Sequence, residues 1–480
     1  MRTKAATSKR KRALQIDSDT KKRPKILERL NDWQYVERSI HRLMAAWGRH
    51  IAEWDDKSAL HRHVWDQAEC VRRLRERIAQ FPGGRTDPPV SRQLENLANV
   101  VLLAPSLEDA LDGTYQILET SLVRTFLQHV QQAHPVHDAP TIQMLHEILS
   151  IKEQHRLWLR DRRRRHPHTT DAKYRAAIEQ QLAACGYLDK AIPVGDEIAH
   201  LAGVSTCFRL PALNARLPEQ HPRFDFMPYL KADFARSIEA RRLFWCYGYM
   251  LEKNLPDEQL RWIYDGHFMP WEFHYDISRH LWDESRHGDS GYSRLLDFGI
   301  RIEEIGFPPY AAPETELKQK KLRANAYAAS VPATCGDAKP LDPKSLYEAV
   351  FFIGLVAETG HFQVKEEAYQ DFRDGGDLES AEMMLFDIID ETAHVQYAHR
   401  WLPALAEHAG IDNTGYRERA AAVRRRAQEE SDRERAALAT LDRSPGNPNY
   451  NFYQNLLARM RRHQPLGNAG SCPSRSTLPM

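Results

Sequence analysis

At 480 residues with 42% hydrophobic side chains, the chain is long enough to bury more than one core, and its length suggests two or three domains. The 67 Lys and Arg against 66 Asp and Glu leave a net charge of +1, which argues against wrapping nucleic acid or a membrane surface by bulk charge. Cys70, Cys185, Cys207, Cys246, Cys335 and Cys472 form no C-x-x-C pair and no apolar run nears the ~20 residues that span a bilayer, so a zinc ribbon, a disulfide framework and a membrane span are not expected and a reducing cytoplasm fits.

In chain order, residues 1–28 carry the clusters KRKR and KKRPK with almost no apolar periodicity and read as a disordered basic tail. No secretory leader is expected, and nucleic-acid contact is expected only through this tail. From there on, apolar residues at i, i+3, i+4 and i+7 alternate with short Pro, Gly and Asn breaks, which predicts an all-α protein. RSIHRLMAAW at 38–47 is echoed by RSIEARRLFW at 236–245, and HRHVWDQAECVRRL at 61–74 by SRHLWDESRHGDSGYSRL at 278–295. Each echo is followed by a helical pair, 107–133 with 139–162 and 342–373 with 377–408. The spacing predicts two related four-helix bundles, 29–165 and 225–410, with a connector over 166–224. Residues 411–480 read as a charged helix and a flexible tail.

Two stretches, HLWDESRH and DIIDETAH, place Asp-Glu-x-x-His on a helix. Glu and His three apart share one helical face, so a carboxylate and an imidazole can reach one ion. Glu284 with His287 and Glu391 with His394 form the two pairs. Glu239 and Glu358 stand in otherwise apolar stretches, where an unpaired carboxylate is costly to bury. If one helix ends near Lys253 and the next starts at Pro270, Glu239 and Glu284 both lie ~21 Å from the turn. Around Asp374, Gly375 and Gly376, Glu358 and Glu391 come out level as well.

The set Glu239, Glu284, His287, Glu358, Glu391 and His394 resembles the ferritin-like di-iron carboxylate superfamily over about 226–408. The resemblance implies two Fe ions, or Fe with Mn: one held by Glu239, Glu284 and His287, the other by Glu358, Glu391 and His394. It further implies an oxidoreductase or oxygenase that activates dioxygen and oxidises a small organic molecule; it names no electron donor. His280 and His361 are further candidate donors, similar to the extra histidines of oxygenase and N-oxygenase branches, or else orient a ligating carboxylate. Asp283 and Asp390 are candidates to hold a histidine or an arginine, and Trp245, Tyr247, Trp282 and Tyr397 to line the site or fill core. The first bundle has Gln67 and Cys70 where the second has Glu284 and His287, so it is expected to be degenerate, without a metal motif. The alternatives are a ferroxidase or iron-handling protein, and a metal-free helical interaction module whose Glu and His satisfy one another. A homodimer is compatible with the sequence.

Overall fold

A computed structural model describes residues 25–192, 224–307 and 340–462. The described residues are all-helical, with no strand among them. The order is α1 (Lys25–Gly48), α2 (Trp54–Ala79), α3 (Arg92–Leu102), α4 (Leu107–Leu111), a π-helical stretch (Asp112–Glu119), α5 (Thr120–Gln132), α6 (Ala139–Arg165) and α7 (Ala172–Ala184). There follow α8 (Met227–Asp233), α9 (Ile238–Glu252), α10 (Leu255–Asp265), α11 (Trp271–Asp297), α12 (Ile302–Ile305), α13 (Pro343–Phe351), a second π-helical stretch (Phe352–Ala357), α14 (Glu358–Asp374), α15 (Leu378–Ala409), α16 (Tyr416–Ala437) and α17 (Pro448–Arg462). The expected basic tail up to residue 24, the connector between 193 and 223, most of the stretch before α13 and the tail after 462 lie outside the described residues.

Local chemistry sets the helix ends. The side chains of Ser91, Ser106, Asp171, Ser237, Asp342 and Asp377 each accept a backbone N–H in the first turn that follows, which satisfies donors that a helix start leaves orphaned. Between α9 and α10 the chain does not turn back. Pro256 sits in the first turn of α10, breaks the helix because it has no N–H, and α10 then runs on along α11. The first long arm is therefore α9 plus α10, and the reversal falls at 266–270 rather than near Lys253.

α9 and α10 pack on α11, α13 and α14 on α15, and α11 on α15. On the N-terminal side α1 packs on α2, and α2 and α5 pack on α6. Gly291 lets α9 and α11 come close, since a Cβ there would lie 2.5 Å from the Met250 backbone N. The connector expectation needs adjustment: α7 packs on α3 and belongs with the first half, and α17, which the sequence did not suggest, buries Tyr453, Leu456 and Met460 against Leu243, Tyr247 and Met250 beside α9. No helix among the described residues is long and apolar enough to cross a membrane.

The halves meet through α2 and α11. Trp65 and Trp282, which hold the same place in the two echoes, stack at 6.2 Å with planes 7° apart. Arg62 lies over the Trp282 ring at 4.9 Å, and Arg279, its counterpart in the second echo, lies over Trp65 at 5.6 Å. Matching residues thus face each other across a local two-fold relation, which explains why the Arg-His-x-Trp-Asp echo is so plain in the sequence: both copies serve one contact.

The π-helical stretches repeat too. The Thr120 hydroxyl donates to the Tyr115 carbonyl and, at the matching place in the second half, the Thr359 hydroxyl donates to the Gly354 carbonyl. The wider turn frees carbonyls that need other donors, and Arg424 of α16 supplies one to Leu355. Gly354 is required where the stretch presses on α15, since a Cβ would lie 2.4 Å from that of Ala398.

Candidate metal centre

α11 carries His280, Glu284 and His287 at i, i+4 and i+7, and α15 carries Asp387, Glu391 and His394 at the same spacing, so each helix turns one stripe inward. The first residue of α14, just after the second π-helical stretch, is Glu358, and the end of α9 delivers Glu252. Two groups of donors result, His280, Glu284, Glu358 and His394 in one and Glu252, His287 and Asp387 in the other, with the donor atoms of each within 4.8 Å of one another. Glu284 serves both. Its Oε1 lies 3.0 Å from His280 Nε2 and 3.6 Å from His394 Nδ1, while its Oε2 lies 3.6 Å from His287 Nδ1. His280 Nε2 is also 3.0 Å from Glu358 Oε1, and His287 Nδ1 is 3.3 Å from Glu252 Oε2 and 3.4 Å from Asp387 Oδ1.

The two histidines on opposite helices are held crosswise. Asp283 of α11 faces His394 Nε2 at 3.3 Å, and Asp390 of α15 faces His287 Nε2 at 3.3 Å. A carboxylate only accepts, so each Nε2 carries a proton, and an ion bound in a donor group would take the Nδ1 lone pair; without one, burial opposes a charged His287, yet Asp387, Asp390, Glu252 and Glu284 hold its pKa well above the usual value. Arg279 donates to Asp283 at 2.8 Å, and Arg286 to Asp390 at 2.7 Å and to Asp283. Burial opposes it, yet the His394 ring and Arg279 hold the Asp283 carboxyl well below its usual range.

Lys365 of α14 was not anticipated. Its ammonium lies 2.6 Å from Asp387 Oδ2 and pairs with Glu391 Oε1, and Tyr249 donates to the same Asp387 oxygen at 2.8 Å. Glu391 is therefore beside the donor groups but committed on one oxygen to a lysine. Burial, then Asp387, push its carboxyl well above the usual range.

Of the residues expected from sequence, the structure brings together Glu284, His287, Glu358, His394 and the additional His280, with Glu391 adjacent. It does not bring in Glu239. That residue lies in the first turn of α9, where its carboxylate accepts from Ser237 at 2.7 Å and faces Arg461 at 3.4 Å. Glu239 and Glu284 are not level, because α10 prolongs the arm past Pro256 and so slides α9 along α11 until Glu252, not Glu239, stands beside His287. His361 is exposed on α14 and lies outside both groups. Trp282 stacks between the halves, Tyr247 packs in the α9 core, Trp245 stacks on Tyr249 at 5.7 Å, and the Tyr397 ring stands 6.2 Å from that of His394. Asp387 was legible in principle, because DIIDETAH repeats the i, i+4, i+7 spacing of HLWDESRH. Glu252 had a weaker signal: Glu37 and Trp47 are ten apart, as are Glu252 and Trp262, a register that differs by 17 residues from the one in which 236–245 echoes 38–47, so that echo does not align the two arms.

The first half carries the same frame with one change of sign. In the register that pairs Trp65 with Trp282, His63, Gln67 and Cys70 stand where His280, Glu284 and His287 stand. In the register that pairs Thr120 with Thr359, Glu119, Lys152 and His155 stand where Glu358, Glu391 and His394 stand. Lys152 Nζ, fully buried, lies 2.8 Å from Glu37 Oε2, 2.8 Å from Glu119 Oε1 and 2.5 Å from Gln67 Oε1. There an ammonium fills the centre, facing two carboxylates.

In the second half Glu252, Glu284, Glu358, Asp387 and Glu391 converge, and among the described residues Lys365 is the one ammonium paired with them. Buried atoms without a hydrogen bond gather at that spot: both Glu358 oxygens, Glu252 Oε2, Asp387 Oδ1, Glu391 Oε2, and Nδ1 of His287 and His394. Burial opposes a charged His280, yet Glu358 and Glu284 hold its pKa up at about 10, so the cluster draws positive charge to itself. Buried carboxylates in such excess either take up protons, as the raised Glu252 and Glu391 carboxyls do, or hold a cation among them. Oxygen and imidazole donors with no thiolate suit iron or manganese. The residues present fit a pair of such ions. No family model, curated protein or solved structure matches the chain.

Proposed function

We propose that the chain is a tandem of two related four-helix bundles, and that the second is a ferritin-like dinuclear centre of iron, or iron with manganese, belonging to an oxidoreductase that uses dioxygen on a small organic substrate. His280, Glu284, Glu358 and His394 would hold one ion, and Glu252, His287 and Asp387 the other, with Glu284 facing both. Such a metal pair, when bound, supplies the electrons with which dioxygen is activated. The chain's own residues do the rest. Asp283 and Asp390 keep the Nε2 protons of His394 and His287 in place and so fix which nitrogen is a donor. Lys365 holds Asp387 and Glu391 and offsets part of the surplus charge. The packed helices around Glu358 and His394, both buried, keep bulk water away.

The single observation that carries this reading is the contrast between the halves: where the frame holds two carboxylates one internal ammonium lies between them, and where it holds five, one lysine, the raised His280 and the raised Glu252 and Glu391 carboxyls share a balance that a bound cation would take over. The test is metal analysis of the full chain after anaerobic loading with Fe(II), or with Fe(II) and Mn(II), and desalting. Close to two ions per chain are expected in the wild type. Glu358→Ala should lose at least one while keeping the helical circular dichroism. A wild-type chain that retains no metal under these conditions refutes the reading and leaves a helical interaction module; assembly into a cage with iron turnover but no organic oxidation favours an iron-handling protein instead.

A further inference from the structure

Beside the second donor group a cleft of about 310 Å³ opens between α11 and α15, a size that takes a small organic molecule. His287 and Asp387 form its floor, Ser290 lies on the α11 wall, and Glu382, Met383 and Phe386 lie on the α15 wall. Its cations are already committed. Arg294 donates to Glu379 at 2.6 Å and to Asp377 at 2.9 Å, and Arg286 is held by Asp283 and Asp390. Glu382 has no ion-pair or hydrogen-bond partner among the described residues. One helical turn on, Phe386 lines the cleft with its ring 58% exposed, beside the exposed Leu385 and Ile389 of the same helix. A free carboxylate at i and an aromatic face at i+4 can together recognise a cation with an apolar body.

The first half shows the same place closed. In the two registers that relate the halves, Arg73 and Glu147 stand at the positions of Ser290 and Phe386, and Arg73 Nε lies 3.0 Å from Glu147 Oε2 across the gap. The ion pair spans α2 and α6 in the half whose centre is filled by Lys152. At the matching place in the second half, which gathers five carboxylates, the cleft is open.

We propose that this cleft is the way to the donor cluster and that it binds a small protonated amine with an apolar body. The ammonium sits against the Glu382 carboxylate and the Phe386 face, and the apolar part runs along Met383 toward His287 and Asp387. That the bound amine is the molecule oxidised rests on the metal reading; that the cleft binds it does not.

The experiment titrates butylamine, hexylamine and 2-phenylethylamine, with 3-phenylpropanoate as the charge-reversed control, into the full chain with and without loaded metal, followed by calorimetry. At least one amine should bind at concentrations where the carboxylate does not. Glu382→Gln should weaken that amine by about tenfold or more. Ser290→Arg with Phe386→Glu, which installs the closing pair of the first half, should abolish amine binding with metal content and circular dichroism as in the wild type. Equal or tighter binding of 3-phenylpropanoate, an affinity indifferent to Glu382→Gln, or no binding of any amine overturns the proposal. A chain that holds its metals but binds no amine fails this inference alone, and one that binds an amine but no metal fails the metal reading alone.

Discussion

Lys152→Met is the perturbation that tests the electrostatic reasoning most directly. It keeps most of the side-chain volume and removes the ammonium from between Glu37 and Glu119, whose side chains are 0% and 4% exposed. Removing one partner of a buried ionic group leaves the others uncompensated and costs about 3–5 kcal/mol. For a unit of this size that is a fall in Tm on the order of 10 °C. The pH dependence fixes the cause. Burial already raises the Glu37 and Glu119 carboxyls above their usual range despite Lys152, and loss of the lysine raises them further. A carboxyl whose folded pKa lies above its unfolded value favours the protonated fold, so the penalty is full above the folded pKa and fades as pH falls toward the unfolded value of about 4.3. The difference between variant and wild type, followed by urea denaturation from pH 8 to pH 5, should therefore shrink in acid. Adding Glu37→Gln and Glu119→Gln to Lys152→Met should recover most of the loss at pH 8. A deficit under about 1 kcal/mol, or one that grows in acid, refutes the claim that these buried carboxylates depend on a cation.

Two further outcomes follow from the same frame. Lys365→Met deprives Asp387 and Glu391 of their ammonium, so the metal-free chain should lose about 3–5 kcal/mol, and excess Fe(II) or Mn(II) should restore more of it than it adds to the wild type; a loss that metal does not touch speaks against a shared charge balance. Lys152→Glu with Gln67→Glu gives the first half four of the five carboxylates of the second, Ile148 standing where Asp387 does, beside His63 and His155, and metal analysis should find about one more ion per chain, whereas unchanged stoichiometry with a retained fold shows that Lys152 does not occupy an ion's place.

The helical class and the stripe His280, Glu284, His287 were legible in the sequence because each is local: 3.6-residue periodicity and spacing within one helix need no knowledge of neighbours. The Arg-His-x-Trp-Asp echo was legible because both copies answer to one contact, the Trp65 and Trp282 stack. Glu239 was misplaced, and Glu252 missed, because helix register is a property of two helices. Pro256 broke the arm without reversing it, and nothing before α10 packed on α11 could show where the chain turned back. Asp387 shares its stripe with Glu391 and His394, but whether it faces a metal donor group or a lysine is decided by α14, which brings Lys365 to it. Lys152 likewise reads as one more base in an Arg-rich helix until Glu37 and Glu119 close around it. Side chains far apart in sequence meet only when helices pack, and burial then makes the charge of each depend on the partners it meets there.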